Sequence, residues 1–300
     1  MNSNILNSMA SFQFFQVDAF TDVALRGNPC AIVLDADSLK SDQMQAIARE
    51  QNLSETAFIL QSDQADVRAR YFTPFQEIPL AGHPTIASIH ILVESGRIQL
   101  TEPKTTISLE LEAGIVSVDV LTSPGNPTEI VMTQLKPQFL SIVPPDQATS
   151  AFGLSSTDLI PEKPVQVVST GTPQLMLPVR DVNILDKIQV NIASLKQLSS
   201  DFQFFSAHLF SVSNTESFAR HFATPPDVFE DPFTGSATGG MGAYLWHYNL
   251  ISQPTFVAHQ GAWIKRPGQG RVTILGPRNN ISAVQVGGRA ITVITGTLYI

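Results

Sequence analysis

The chain has a single cysteine, Cys30, and only 15% charged residues in 300. One cysteine excludes an intramolecular disulfide and any thiolate metal cluster, and it fits a reducing compartment. Acids outnumber bases, the net charge is −8 and the pI is about 5.2. No basic patch interrupts that balance, which argues against nucleic acid as a partner. No apolar run approaches the roughly 18 residues that a membrane span needs. The opening MNSNILNSMA has neither the basic region nor the apolar core of a signal peptide. These absences together predict a soluble cytoplasmic protein.

Several catalytic and binding signatures are missing too. There is no G-x-x-x-x-G-K-[ST] and no G-x-S-x-G. Gly240-Met-Gly242 is followed by Leu245, so the dinucleotide-binding spacing is not met either. The six histidines are scattered without an H-x-x-x-H pair. No metal site and no cofactor are expected.

What is present is apolar material, 43% of the residues, enough for a large core. A chain of 300 residues suggests two domains. Short β-branched and aromatic runs at 12–17, 30–34, 57–60 and 67–72 predict strands. Met44, Ile47 and Ala48 fall at helical spacing and predict a helix over 42–51 with Ser41 as its cap. A second, largely apolar helix is predicted over 84–94, with Pro84 in its first turn and Gly96 as a stop. Short strands are predicted again over 98–120. The turn-rich segment 122–127 is the expected domain boundary, which divides the chain into 1–125 and 126–288. The last strand, 289–300, is expected to return to the first half.

The second half repeats the order of the first. Gly27-Asn28-Pro29 matches Gly171-Thr172-Pro173, and Ser54 to Phe58 matches Ser206 to Phe210. Arg70-Tyr71-Phe72 matches Arg220-His221-Phe222, and Pro79 to His83 matches Pro232 to Ser236. The offsets lie between 144 and 153 and keep their order. This predicts an α+β protein of two pseudo-symmetric halves, each with strands around an apolar central helix, with the active site in the cleft between them.

The glycine turns at Gly82 and Gly235 occupy matching places, each ahead of a predicted central helix. Free amides and the positive end of the helix dipole favour an anion there. A turn of this kind equally serves as a simple cap, but a matched pair suits a small carboxylate and charge developing beside it. Glu55, flanked by apolar residues, stands opposite Ala207 in the repeat and is a candidate base. Partial burial would raise its pKa. His83 follows one turn and Asp231 precedes the other, which places both beside the suspected anion.

The segments 17-VDAFTDVALRGNPCAIVL-34, 43-QMQAIAREQNLSETAF-58, 72-FTPFQEIPLAGHPT-85, 230-EDPFTGSATGG-240 and 260-QGAWIKRPG-268 resemble the PhzF family of phenazine-biosynthesis-like isomerases. The similarity runs from about Phe12 to the end. It implies the diaminopimelate epimerase-like fold, with each half a sheet curled around a central helix. It also implies Glu55 as the catalytic glutamate, with His83 and Asp231 in catalytic roles. Ser236, with the turns at Gly82 and Gly235, would bind substrate. Related epimerases and proline racemases carry a pair of cysteines just before these glycines. Ala81 and Thr234 stand there instead, so a two-thiol epimerase is the weaker alternative. A homodimer is a further implication of the resemblance. The expected activity is cofactor-independent isomerisation of a small carboxylate by acid/base proton transfer. A non-catalytic acid-binding protein on the same fold is the alternative of another class.

Overall fold

The computed structural model describes residues 9–213, 215–226 and 229–300. The chain forms two compact units, one of residues 1–130 with 289–300 and one of residues 131–288.

The first unit runs β1 (Ser11–Ala19), β2 (Asn28–Val33), α1 (Ser41–Gln51), β3 (Glu55–Leu60), β4 (Val67–Phe72), β5 (Glu77–Ile78), α2 (Gly82–Glu94), β6 (Lys104–Leu111) and β7 (Gly114–Ser123). The C-terminal strand Ala290–Tyr299 lies antiparallel to β1 and begins the sheet. Next come β2 (antiparallel), β3 (parallel), β4 (antiparallel), β6 (parallel) and β7 (antiparallel). Met44, Ile47 and Ala48 of α1 are buried against Phe12, Val33, Phe58 and Phe72 on one face. Helix α2 packs on the other face, against β1, β2, β3 and the C-terminal strand. It is apolar nearly all round, as a helix enclosed by its own sheet must be.

The segment 122–127 forms the end of β7, a turn with Gly125 at φ 76°, and the start of β8 (Asn126–Gln134). The two units divide inside β8. The second unit continues with β9 (Gln138–Val143), α3 (Pro145–Ser150), β10 (Val165–Ser169), β11 (Pro173–Pro178), α4 (Val182–Leu185), α5 (Ile192–Phe202), β12 (Ser206–Val212), β13 (Glu216–Ala223), α6 (Gly235–His247), β14 (Thr255–Gln260), β15 (Gly268–Leu275) and β16 (Ala283–Gly288). Its sheet runs β9, β10 (antiparallel), β11 (antiparallel), β12 (parallel), β13 (antiparallel), β14 (parallel), β15 (antiparallel) and β16. Through its first seven strands this is the order and sense of the first unit's sheet.

The duplication extends to side chains. Arg70 holds Glu77 through two bonds of 2.7 and 2.6 Å, and its guanidinium lies 5.2 Å from the Phe72 ring centre. Arg220 holds Glu230 at 2.8 and 2.7 Å and lies 5.0 Å from the Phe222 ring centre. The hydrogen-bond register also corrects one match made from sequence. Thr56 pairs with Phe72, and Ala207 pairs with Phe222. Thr56 is therefore the counterpart of Ala207, and the position equivalent to Glu55 is Ser206.

Helix boundaries shift slightly. Lys40, not Ser41, precedes α1, and the Gln43 side chain accepts from the Lys40 amide at 3.0 Å. Helix α2 starts at Gly82, so Pro84 is its third residue. In α6 the glycines do two different jobs. Gly235 opens the helix, whereas Gly239, Gly240 and Gly242 lie inside it. A Cβ at Gly239 would meet Gln134 Oε1 at 1.9 Å, one at Gly240 the Met176 methyl at 2.8 Å, and one at Gly242 a Val272 methyl at 2.6 Å. Interior glycines each cost a helix about 1 kcal/mol against alanine. Here they permit close approach of the strands and of Gln134.

Candidate active site

In the first unit, Glu55 opens β3 and His83 is the second residue of α2. Parallel pairing of β2 with β3 puts Cys30 beside Glu55 and Asn28 close to the same strand ends. Helix α2 has no side-chain cap. Its third residue, Pro84, has no N–H, which leaves the amides of Gly82 and His83 at the helix start. The turn before them is held from beneath. Thr85 Oγ1 donates to the Ala81 carbonyl at 2.8 Å, so the buried Tyr71 hydroxyl donates to Thr85 Oγ1 at 2.9 Å. Burial pushes the Tyr71 phenol well up and keeps it a neutral donor.

His83 is 5% exposed, and burial lowers its pKa to about 3 against a weaker opposing effect of the Pro29 backbone. The ring is therefore neutral at pH 7. The Asn28 side-chain amide lies 3.2 Å from Nδ1 and donates to it, which puts the ring proton on Nε2. Nε2 is 3.1 Å from Glu55 Oε2, yet the two are not aligned as a hydrogen bond and Nε2 has no other partner. A buried ring N–H is thus left facing the Glu55 carboxylate. Cys30 is fully buried, and burial, then the charge of Glu55, raises its thiol well above the usual range. It is a neutral thiol.

In the second unit, Asp231 and Ser236 flank the start of α6. Thr234, the residue before the helix, donates its hydroxyl to Asp231 Oδ2. Gln260 Nε2 donates to the Asp231 carbonyl at 2.7 Å, and Gln260 Oε1 accepts from the Thr234 amide at 3.2 Å. Gln134 Nε2 donates to the Gly235 carbonyl at 2.8 Å. Ser236 Oγ accepts from Gln174 Nε2 at 3.1 Å. Helix α6, like α2, has no side-chain cap.

Within the first unit, then, Glu55, His83 and Gly82 come together. Within the second, Asp231, Gly235 and Ser236 do. The positions where related epimerases carry cysteine, Ala81 and Thr234, are the residues that lead into the two central helices. Sequence reasoning passed over Asn28 and Gln174. Asn28 stood inside a quoted repeat motif, but its contact with His83 is 55 positions distant. Among the described residues, no group of three or more His, Cys, Asp or Glu side chains is arranged to hold a metal ion. No helix among them is long and apolar enough to cross a membrane.

Two units of one strand order, each enclosing a helix that opens on a bare N-terminus, define an α+β protein of the diaminopimelate epimerase-like class. The profile of the PhzC–PhzF family, phenazine biosynthesis-like proteins, matches residues 17–296. An uncharacterized isomerase of Clostridium acetobutylicum is 32% identical, with 96% of this chain and 98% of that one covered. A trans-2,3-dihydro-3-hydroxyanthranilate isomerase of Pseudomonas aeruginosa is 29% identical over 96% and 99% of the two chains. A PhzF-family phenazine biosynthesis protein of Bacillus anthracis, solved by crystallography, superposes with a TM-score of 0.88 at 29% identity, covering 97% of this chain and 100% of that one. The chain belongs to the PhzC–PhzF family and is an isomerase of that family.

Proposed function

We propose that this isomerase moves a proton between two carbons of a small carboxylated substrate, without a cofactor, with Glu55 as the base. The observation that carries the reading is the Glu55 carboxylate 3.1 Å from a neutral, buried His83 at the bare start of α2. Glu55 removes a proton from a carbon next to a carboxylate or conjugated system. As the resulting acid it returns that proton, or one exchanged with solvent, to a different carbon, so the net change is the position of a hydrogen and a double bond.

A carbon acid is far weaker than a carboxylic acid, so the glutamate needs help. The amides of Gly82 and His83, and the His83 Nε2–H, are placed to meet negative charge as it develops. Preorganised donors of this kind contribute about 3–4 kcal/mol each. The amides of Gly235 and Ser236 and the Ser236 hydroxyl hold the substrate carboxylate, and Asp231 positions or relays a proton. A ring such as that of dihydro-hydroxyanthranilate suits this chemistry, and the isomerase from Pseudomonas aeruginosa supports that substrate class. A cytoplasmic homodimer belongs to the same proposal.

The test is incubation in heavy water with trans-2,3-dihydro-3-hydroxyanthranilate, diaminopimelate and hydroxyproline, read by mass spectrometry. Deuterium should enter one compound, and Glu55→Gln should slow its entry by about 10²–10⁴-fold, the usual share of a general base. Label entering at the same rate in Glu55→Gln would refute the assignment. No label in any compound would mean a substrate outside this panel or an acid-binding protein.

A further inference from the structure

We infer that Gln174 is a positioning residue that makes Ser236 a hydrogen-bond donor toward a bound carboxylate; the inference rests on the reading that the substrate's anion meets the start of α6. Gln174 is the second residue of β11 and is only 2% exposed. Its Nε2 donates to Ser236 Oγ at 3.1 Å. A hydroxyl that accepts from an amide has its own proton left to give elsewhere. The backbone around Ser236 is fixed as well. Thr170 Oγ1 reaches the Ser236 carbonyl at 3.3 Å and Gln134 Oε1 at 2.6 Å, while Gln134 holds the Gly235 carbonyl at 2.8 Å. With its neighbours tied down, the partly exposed Ser236 side chain keeps one free direction for its O–H.

Stability does not account for a glutamine at this position. Gln174 Oε1 is buried and has no hydrogen-bond partner. Leaving a buried acceptor unsatisfied is costly, and a side chain of similar volume without polar atoms would avoid that cost. The duplication gives a control within the same chain. Cys30 pairs with Glu55 in the first unit as Gln174 pairs with Ser206 in the second. The strand position that carries an amide beside Ser236 carries a thiol in the half whose helix has His83 as its second residue. The amide therefore follows the serine rather than the fold.

The experiment uses the full chain, with anthranilate as a non-reacting carboxylate, followed by NMR at the Gly235 and Ser236 amides. In the wild type these two amides should shift on titration. Gln174→Met and Gln174→Glu should each weaken binding roughly ten-fold or more, the loss expected for one hydrogen bond to a charged group. Gln174→Met should unfold at the same temperature as the wild type or higher, which a merely structural glutamine would not allow. Added to Ser236→Ala, Gln174→Met should change affinity no further, because the glutamine acts through the serine.

Two results would overturn the inference while sparing the carboxylate reading. One is full affinity in Gln174→Glu, which would mean that residue 174 accepts the serine proton. The other is an undiminished effect of Gln174→Met in the Ser236→Ala background, which would mean direct contact. Absence of any shift at Gly235 and Ser236 in the wild type would instead overturn the carboxylate reading itself.

Discussion

Acid should unfold the second unit through its buried histidine pair. His208 and His221 lie on adjacent strands with their Nδ1 atoms 3.2 Å apart, and they are 0% and 3% exposed. Burial lowers the His221 pKa to about 3, and burial together with His221 lowers that of His208 well below its usual value. One ring donates and the other accepts, so both are neutral. In the unfolded chain both return to a pKa near 6.5.

Above about pH 7 neither state binds the proton, and the pair's full stability is present. As pH falls through 6.5 the unfolded state takes up protons that the folded state refuses until pH nears 3, so stability is lost on acidification. At pH 5 His221 alone should cost about 2 kcal/mol, the free energy of its one and a half decades of preferential protonation in the unfolded chain. His208 adds to this in the same direction. Both tryptophans, Trp246 and Trp263, lie in the second unit, so their fluorescence follows that unit by itself. Urea titrations at pH 7, 6 and 5 should show a falling midpoint. In His221→Gln the fall should be smaller by about 2 kcal/mol at pH 5, and the comparison removes carboxylates common to both chains. A midpoint constant from pH 7 to 5, or parallel falls in the two proteins, would refute the reasoning.

Two further substitutions test the packing and the ring orientation. Gly239→Ala should drive the Gln134 side chain from the Gly235 carbonyl and destabilise the second unit by about 1–3 kcal/mol. Chemical denaturation read by tryptophan fluorescence measures this, and an unchanged midpoint would show that Gln134 yields freely. Asn28→Asp replaces the amide that donates to His83 Nδ1 with a carboxylate that accepts from it. The ring proton should move to Nδ1 and the pKa of His83 should rise from about 3. ¹⁵N chemical shifts of the imidazole report both changes, and an unaltered ring would remove Asn28 from its orienting role.

The sequence was most legible where one chemical pattern fixes one structure. The alternating run at 67–72 is β4 to the residue, because Val67, Ala69 and Tyr71 face inward together. The duplication could be read because its landmarks, the glycine-x-proline turn, the Arg-x-Phe strand end and the glycine before each central helix, perform the same backbone task twice. The slip that set Glu55 against Ala207 arose because two short strands can be matched by a shared serine. Hydrogen-bond pairing with Phe72 and Phe222 decides the register instead. Glu55, His83, Asp231 and Ser236 stand in motifs and could be singled out from them. Asn28 and Gln174 could not, since each acts on a residue far along the chain, at 55 and 62 positions' separation. The spacing of the glycines inside α6 rules out a dinucleotide-binding turn but does not say what they are for; the side chains they admit, those of Gln134, Met176 and Val272, do.

The first sheet is completed by a strand that follows the whole second unit in the chain. β1 lies between β2 and the C-terminal strand, with Ser11 opposite Tyr299 and Ala19 opposite Ala290. On a ribosome, the second unit is a continuous stretch and is finished while the first still lacks a neighbour for β1. At roughly 5–20 residues per second, synthesis of residues 131–288 keeps that edge open for about 8–30 seconds. An unpaired strand edge in that interval is a template for other nascent chains. The half that carries Glu55 and His83 therefore cannot close its sheet until residues 289–300 reach β1.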